Sequence, residues 1–276
     1  MSFPVLSSVV YKNQILASLS GVEIARLRPH LFSVTLEKGQ TLQDPEQNVA
    51  YAYFLETGMA SVVIEMAKGS SVETAIIGKE GVVNVCILLG TGSMPTHTFI
   101  QIPGGGYKIK AEILKKEFDK GGTLQKKINS YIQAQIVQTS QTAACNRLHD
   151  IAERLARWLL MCQDRMGSDP FPITHEFLGQ MLGSPRSTVT LAAGILQKAG
   201  LMIYSRGKIK ICSRAGLEKF ACECYRVIRN EYERLGIVCT AGNFPEHSQA
   251  EDGKALATMP PKAGARVPSK RRPVQN

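Results

Sequence analysis

The residues on either side of Gly122 follow two incompatible folding rules. From about Leu31 to Ile113, short β-branched or alternating runs are cut by glycine: "ASVVIEM" (60–66), "VETAII" (72–77), "THTFIQI" (96–102) and "YKIKAEIL" (107–114). Gly58, Gly69, Gly78, Gly81, Gly90, Gly92 and the triplet Gly104 to Gly106 supply the turns, and strands at this spacing predict a compact antiparallel roll. After Gly122, residues 123–147 contain neither glycine nor proline. Leu124, Ile128, Tyr131, Gln135, Thr139, Thr142 and Asn146 fall on one face at a helical period. The seam is apolar in its first half and small or polar in its second. It fits a loose pairing with a second copy of the chain, or packing against the strands, and the two are compatible.

A second helix is expected over "IAERLARWLLMCQDRMG" (151–167), capped by Asp150 and stopped by Gly167. Its apolar stripe is Ile151, Leu155, Trp158, Leu159 and Cys162. At 276 residues the chain holds two ordinary domains. The expected division is a roll over 1–122, a pairing helix over 123–149, a third unit over 150–236 and a disordered basic tail over 237–276. The net charge of +10 is spread along these parts and permits an anionic partner. No run of eighteen apolar residues suggests a membrane span. "MSFPVLSSVVYKNQ" lacks the plan of a signal peptide, so a cytoplasmic location is expected.

The seven cysteines are odd in number and scattered, which suits reduced thiols better than a disulfide framework. Cys222 and Cys224 resemble a metal pair, but two residues apart on a helix they would point to nearly opposite sides. Zinc would also need about two further ligands, so no metal is expected. There is no nucleophile–base set, no paired carboxylates and no metal constellation, and an enzyme is not expected. "GGG" is not followed by Gly-Lys-Ser/Thr, so it reads as a turn rather than a phosphate-binding loop.

The most informative stretch is "ITHEFLGQMLGSPRSTVTLAAGILQKAG" (173–200). Thr174 can cap a first short helix, and Gly183 allows a sharp exit from it. Ser184 caps a second helix with Pro185 at its first position, and Gly179 leaves room for the two to cross. This is the helix-turn-helix layout. On a helical wheel, Val189, Ala192, Ile195, Leu196 and Ala199 gather on one side as an anchor. Arg186, Ser187, Thr190 and Leu191 face the other way, short and free of carboxylates, as a major groove requires. "LMIYSRGKIKI" (201–211) reads as two strands around a Ser205–Lys208 turn. Arg206 and Lys208 at its tip suit phosphate contact, with an ordinary charged surface hairpin as the alternative.

With "ILQKAGLMIYSRGKIKI" and "RAGLE" following, residues 150–235 resemble the winged-helix DNA-binding domain of the Crp/Fnr family of bacterial transcription regulators. The roll and long helix resemble that family's sensor domain and dimerisation helix. The implied fold class is α+β: an N-terminal antiparallel β-roll (a jelly-roll-like, cyclic-nucleotide-binding-like domain), a long dimerisation helix and a C-terminal winged helix-turn-helix. The resemblance implies a nucleoid-associated homodimer on a near-palindromic site in double-stranded DNA, with RNA polymerase as a further partner. Arg186 takes the position of an arginine aimed at guanine. Ser187 stands where glutamate is common, and Leu191 where a second arginine would be, able only to touch a thymine methyl. Thr174, Thr188 and Arg206 match phosphate-contact positions; His175, expected to be neutral, is a weaker one.

The family's cyclic-nucleotide ligands do not carry over. Pro95-Thr96 aligns where an Arg-Ser pair holds the phosphate, and Val85 where a glutamate holds the ribose. His97 and Lys79 are poor substitutes. Thr139-Ser140 does match the family's Thr-Ser at the nucleobase, but without the phosphate anchor it is only retained register. The iron–sulfur cluster of the Fnr branch needs three cysteines near the N-terminus, whereas the first cysteine here is Cys86. His30 and His97 read as ordinary histidines rather than haem ligands. No cofactor is expected, and the effector is unidentified. A rival reading is a small-molecule sensor whose winged helix serves mainly as a protein-interaction surface.

Overall fold

A computed structural model describes residues 10–167 and 171–238; most of the expected tail lies outside them. The described chain opens with α1 (Gln14–Ala17) and α2 (Gly21–Leu27). Asn13 caps the first through the amides of Ile15 and Leu16, and Ser20 forms a reciprocal capping box with Glu23 at the second. Then come β1 (Phe32–Leu36), β2 (Thr41–Gln43), β3 (Tyr51–Glu65), β4 (Ser71–Ile77) and β5 (His97–Lys110). They form an antiparallel sheet in the order β1-β5-β3-β4, with β2 also paired to β5. Register shifts in β3 around Thr57 and Met59 bend it and roll the sheet over its inner face. Phe54, Met59, Val63, Ile76, Ile100 and Ile109 are buried there.

The glycine triplet is not a turn. Gly104, Gly105 and Gly106 lie inside β5, opposite Leu36, Thr35 and Val34 of β1. They join the two strands expected at 96–102 and 107–114 into one, and the chain from Ala111 onward becomes α3 (Ala111–Asp119). A Cβ on Gly104 would stand 2.2 Å from the Thr57 carbonyl oxygen, and one on Gly106 2.1 Å from that of Phe54. Glycine is required here by close backbone approach. Gly106→Ala is therefore expected to lower the unfolding free energy by about 1–3 kcal/mol, measured by urea denaturation; an unchanged midpoint would contradict the packing.

The long helix, α4 (Thr123–Leu148), starts on a borrowed carboxylate. Glu23 accepts the Leu124 amide at 3.0 Å, and this bond, after the larger effect of the Ser20 hydroxyl, holds its pKa down to about 2. The buried face of α4 is Leu124, Ile128, Tyr131, Ala134, Gln138, Thr142 and Cys145. This corrects the expected seam: Gln135 and Asn146 are only half-buried and Thr139 is exposed. The covered face packs within the chain, against β4 and the last helix, α9 (Cys224–Arg234). The opposite side leaves Ile136 and Leu148 exposed.

Next comes α5 (Ile151–Met166), preceded by Asp150, whose side chain makes no capping bond, and stopped by Gly167 at φ 65°. The sequence predicts cover for a single apolar stripe. Instead the helix is enclosed on almost every side, with Arg154, Arg157, Gln163, Asp164 and Arg165 all buried. Arg165 pairs with Glu80 at 2.8 Å and bonds Gln138 of α4 at 2.8 Å. The Trp158 indole N–H donates to Glu73 of β4 at 2.6 Å. Asp164 accepts from Arg214 at 2.6 Å and from the Tyr225 hydroxyl at 2.9 Å. These bonds satisfy groups that would otherwise be costly to bury, and they make α5 the strut joining the roll to everything after it.

The remaining elements are β6 (Phe171–Pro172), α6 (His175–Leu182), α7 (Arg186–Lys198), β7 (Met202–Ser205), β8 (Lys208–Ile211) and α8 (Arg214–Phe220), before α9. The three strands form a second sheet in the order β6-β8-β7. No helix among the described residues is long and apolar enough to cross a membrane.

Candidate nucleic-acid interface

The turn between α6 and α7 is built by its small residues. Thr174 caps α6 by accepting the Phe177 amide at 3.2 Å. Gly183 closes the helix at φ 57°, a left-handed conformation that suits glycine. A Cβ on Gly179 would lie 2.8 Å from the Ser184 carbonyl oxygen, so its absence sets how closely α7 crosses. The expected Ser184 cap is not formed. Ser184 donates back to the Leu182 carbonyl, and Pro185, one position earlier than expected, sits at the cap, where its carbonyl takes the Val189 amide.

Val189, Ala192, Ala193 and Leu196 are the buried anchor of α7. Ala193 replaces Ala199 and Ile195 of the expected set: Ala199 is exposed and Ile195 is 50% exposed. Arg186, Ser187, Thr190 and Leu191 are all exposed, and Thr188 is half-buried. The Thr190 hydroxyl donates to the Arg186 carbonyl at 2.9 Å and lies 3.0 Å from His175 Nδ1. Its single proton is thus engaged, so His175 Nδ1 must carry the hydrogen of that second bond. The His175 ring stacks on Tyr204 at 4.1 Å. Burial, and then the neighbouring Arg186 charge, lower its pKa, keeping it neutral.

The β7–β8 hairpin turns through Arg206 and Gly207, at φ 50° and 72°, the paired positive values of a tight type I′ turn. Arg206, Lys208 and Lys210 are exposed around it. The Tyr204 amide donates to Gln197 Oε1 at 2.9 Å, tying the wing to α7. The Ile173 amide donates to the Gly207 carbonyl at 2.8 Å, tying it to the segment before α6. Thr174, His175, Arg186, Thr190, Arg206 and Lys208 therefore belong to one bonded unit.

Residues 153–220 match the family model of the Crp-like helix-turn-helix domain. The chain carries a Crp-like helix-turn-helix domain. A global nitrogen regulator from Synechococcus elongatus is 23% identical to the chain over 193 residues, covering 66% of this chain and 86% of that protein. Among solved structures, a regulator from Eubacterium rectale assigned to the crp/fnr family matches with a TM-score of 0.60 at 19% identity, covering 75% of this chain and 97% of that one. FixK2 from Bradyrhizobium japonicum matches with a TM-score of 0.61 at 16% identity, covering 70% and 98%. The protein therefore has the Crp/Fnr fold, a β-rich N-terminal part followed by the Crp-like domain.

Two features around the Crp-like domain escape sequence reading. Its second helix, α6, rests on the roll: Phe177 meets Phe99 edge-on at 6.3 Å, and a Cβ on Gly183, at the end of α6, would be 3.1 Å from Val72. Cys222 precedes α9 rather than lying on it. Cys222 and Cys224 therefore do not share a helix, and the divergence expected of them from helical spacing is absent.

Proposed function

We propose that the protein is a sequence-specific, DNA-binding transcription regulator that acts as a homodimer on a near-palindromic site, with no dependence on a cyclic nucleotide. The exposed, carboxylate-free face of α7 beside the cationic wing carries this reading. Arg186 would read guanine through O6 and N7, with Ser187, Thr190 and Leu191 on neighbouring bases. Thr174, Thr188, Arg206 and Lys208 would hold phosphates. His175, neutral and bonded to Thr190, fits better as a support for the reading helix than as a phosphate ligand. The solvent side of α4, with Ile136, Ser140 and Ala143, supports pairing with a second copy, and RNA polymerase contact follows from the same reading. His97 supports cyclic-nucleotide independence, because it is already held by Glu65 at 2.9 Å and Thr41 at 3.2 Å.

Selection of bound sequences from a random DNA pool is expected to enrich a two-fold-symmetric site, and cyclic AMP should leave the affinity unchanged. Arg186→Ala should cost about 1–3 kcal/mol and relax one position per half-site, while Lys208→Ala should weaken all sequences alike and reduce the salt slope by about one. Leu191 (72% exposed), Ile203 (54%) and Ile195 (50%) favour a second reading, in which this surface docks a protein. An unenriched pool would reject the first reading and leave the second.

A further inference from the structure

Three cysteines and a histidine distant in sequence converge where the end of α4 meets the start of α9. Cys145 lies in the last turn of α4 and His149 just beyond it; Cys222 and Cys224 lie on either side of Glu223, at the entrance to α9. Their four ligand atoms all lie within 4.8 Å of one another. We propose that Cys145, His149, Cys222 and Cys224 bind one zinc ion in a structural, tetrahedral site.

The geometry fits a single ion. Zinc–sulfur bonds of about 2.3 Å give a tetrahedron with edges of about 3.8 Å. The Cys145 and Cys222 sulfurs are 3.5 Å apart, and Cys224 Sγ is 3.4 Å from His149 Nδ1. Closing the widest pair onto an ion needs side-chain movement of only about 1 Å. The grouping is too tight to enclose a polynuclear iron–sulfur cluster, whose terminal ligands flank bridging sulfides. Three thiolates and an imidazole are a soft set that selects zinc over magnesium or calcium.

The surroundings are those of a metal site. With Nδ1 turned to the thiols, the other ring nitrogen of His149 reaches Glu223 Oε2 at 3.2 Å. That is the carboxylate–histidine pairing that orients metal-bound imidazoles. Gln141 Nε2 donates to Cys224 Sγ at 3.2 Å, a bond that favours a thiolate. Arg157 donates to Thr142, one turn before Cys145 on α4, at 3.3 Å, placing a cation near the net single negative charge of three thiolates and a divalent ion. Cys145, Cys222 and Cys224 form a small buried cluster separate from the main core, and structural zinc sites are closed in this way. Binding releases the three thiol protons to solvent and staples α9 to the end of α4.

The test uses the full chain, purified under reducing conditions without a metal-affinity step. Metal analysis is expected to find about one zinc per chain, and stripped protein should take up Co2+ with the visible bands of a tetrahedral thiolate complex. Cys224→Ser should abolish those bands. Glu223→Ala, which removes no ligand and changes an exposed side chain, should weaken zinc binding about 10–100-fold against a chromophoric chelator while leaving the far-ultraviolet spectrum unchanged. Folded, reduced wild-type protein that holds no zinc and takes up no Co2+ would overturn the proposal. So would a Cys145–Cys222 disulfide in protein prepared without oxygen, or a Glu223→Ala variant with undiminished zinc affinity.

Discussion

Arg165→Ala is expected to lower the unfolding free energy by about 3–5 kcal/mol, because it strands a buried carboxylate. Glu80 is 1% exposed, and Arg165 is its cation at 2.8 Å. The same guanidinium bonds Gln138, and its Cζ lies 5.7 Å from the centre of the Tyr232 ring. One side chain thus connects the roll, α4, α5 and α9. Removing both charges together, as Arg165→Ala with Glu80→Gln, should recover much of the loss, since most of the penalty lies in the unpaired charge rather than in the missing bond. Urea unfolding of the two single variants and the double variant measures this. A single-variant loss below about 1 kcal/mol, or a double variant no better than Arg165→Ala, would refute it.

Glu73→Gln should stabilise the protein, and only at higher pH. Glu73 is fully enclosed against α5, and burial pushes its pKa up from 4.5 to about 7 despite the Ser61 hydroxyl, the Trp158 N–H and the charges of Arg157 and Arg165. Between those two values the folded state holds a proton that the unfolded state has released, so wild-type stability falls as pH rises from about 4.5 to about 7. Below the window there is no penalty; above it the loss is constant at about 3 kcal/mol. Glutamine cannot ionise and still offers Trp158 an acceptor. The gain in denaturation midpoint should therefore be near zero at pH 4 and full by pH 8. A gain independent of pH would mean that ionisation of Glu73 is not its source.

Helix α7 was legible because its two sides differ in chemistry at a helical period. Val189, Ala192 and Leu196 face one way, and Arg186, Ser187 and Thr190 the other. The same logic fails for α5, whose arginines look like a solvated face. Glu73 and Glu80, their region's acidic partners, are each 85 residues from the α5 residue they bond, and no local period reveals such pairs. On α4, Gln138, Thr142 and Cys145 are inside although none is strongly apolar, so a hydrophobic seam drifts off register in its second half. The glycine triplet deceived for a different reason. Glycine marks both turns and strands crowded by a neighbouring backbone, and only the position of Thr57 and Phe54 tells which. The cysteine cluster was hidden by distance as well: Cys145 and Cys222 are 77 residues apart.

The polar bonds along α5 also decide where this protein can be cut and rejoined. A chimera that grafts residues 150–238 onto another N-terminal roll would carry Arg165 and Trp158 away from Glu80 and Glu73, burying a cation and an indole N–H against a foreign surface. A graft that instead keeps α5 with its own roll and changes partners between Gly167 and α6 leaves those bonds whole. It would still have to reproduce Asp164 with Arg214 and Phe99 with Phe177. Exchanging modules in this chain therefore means transplanting contacts, not only a stretch of sequence.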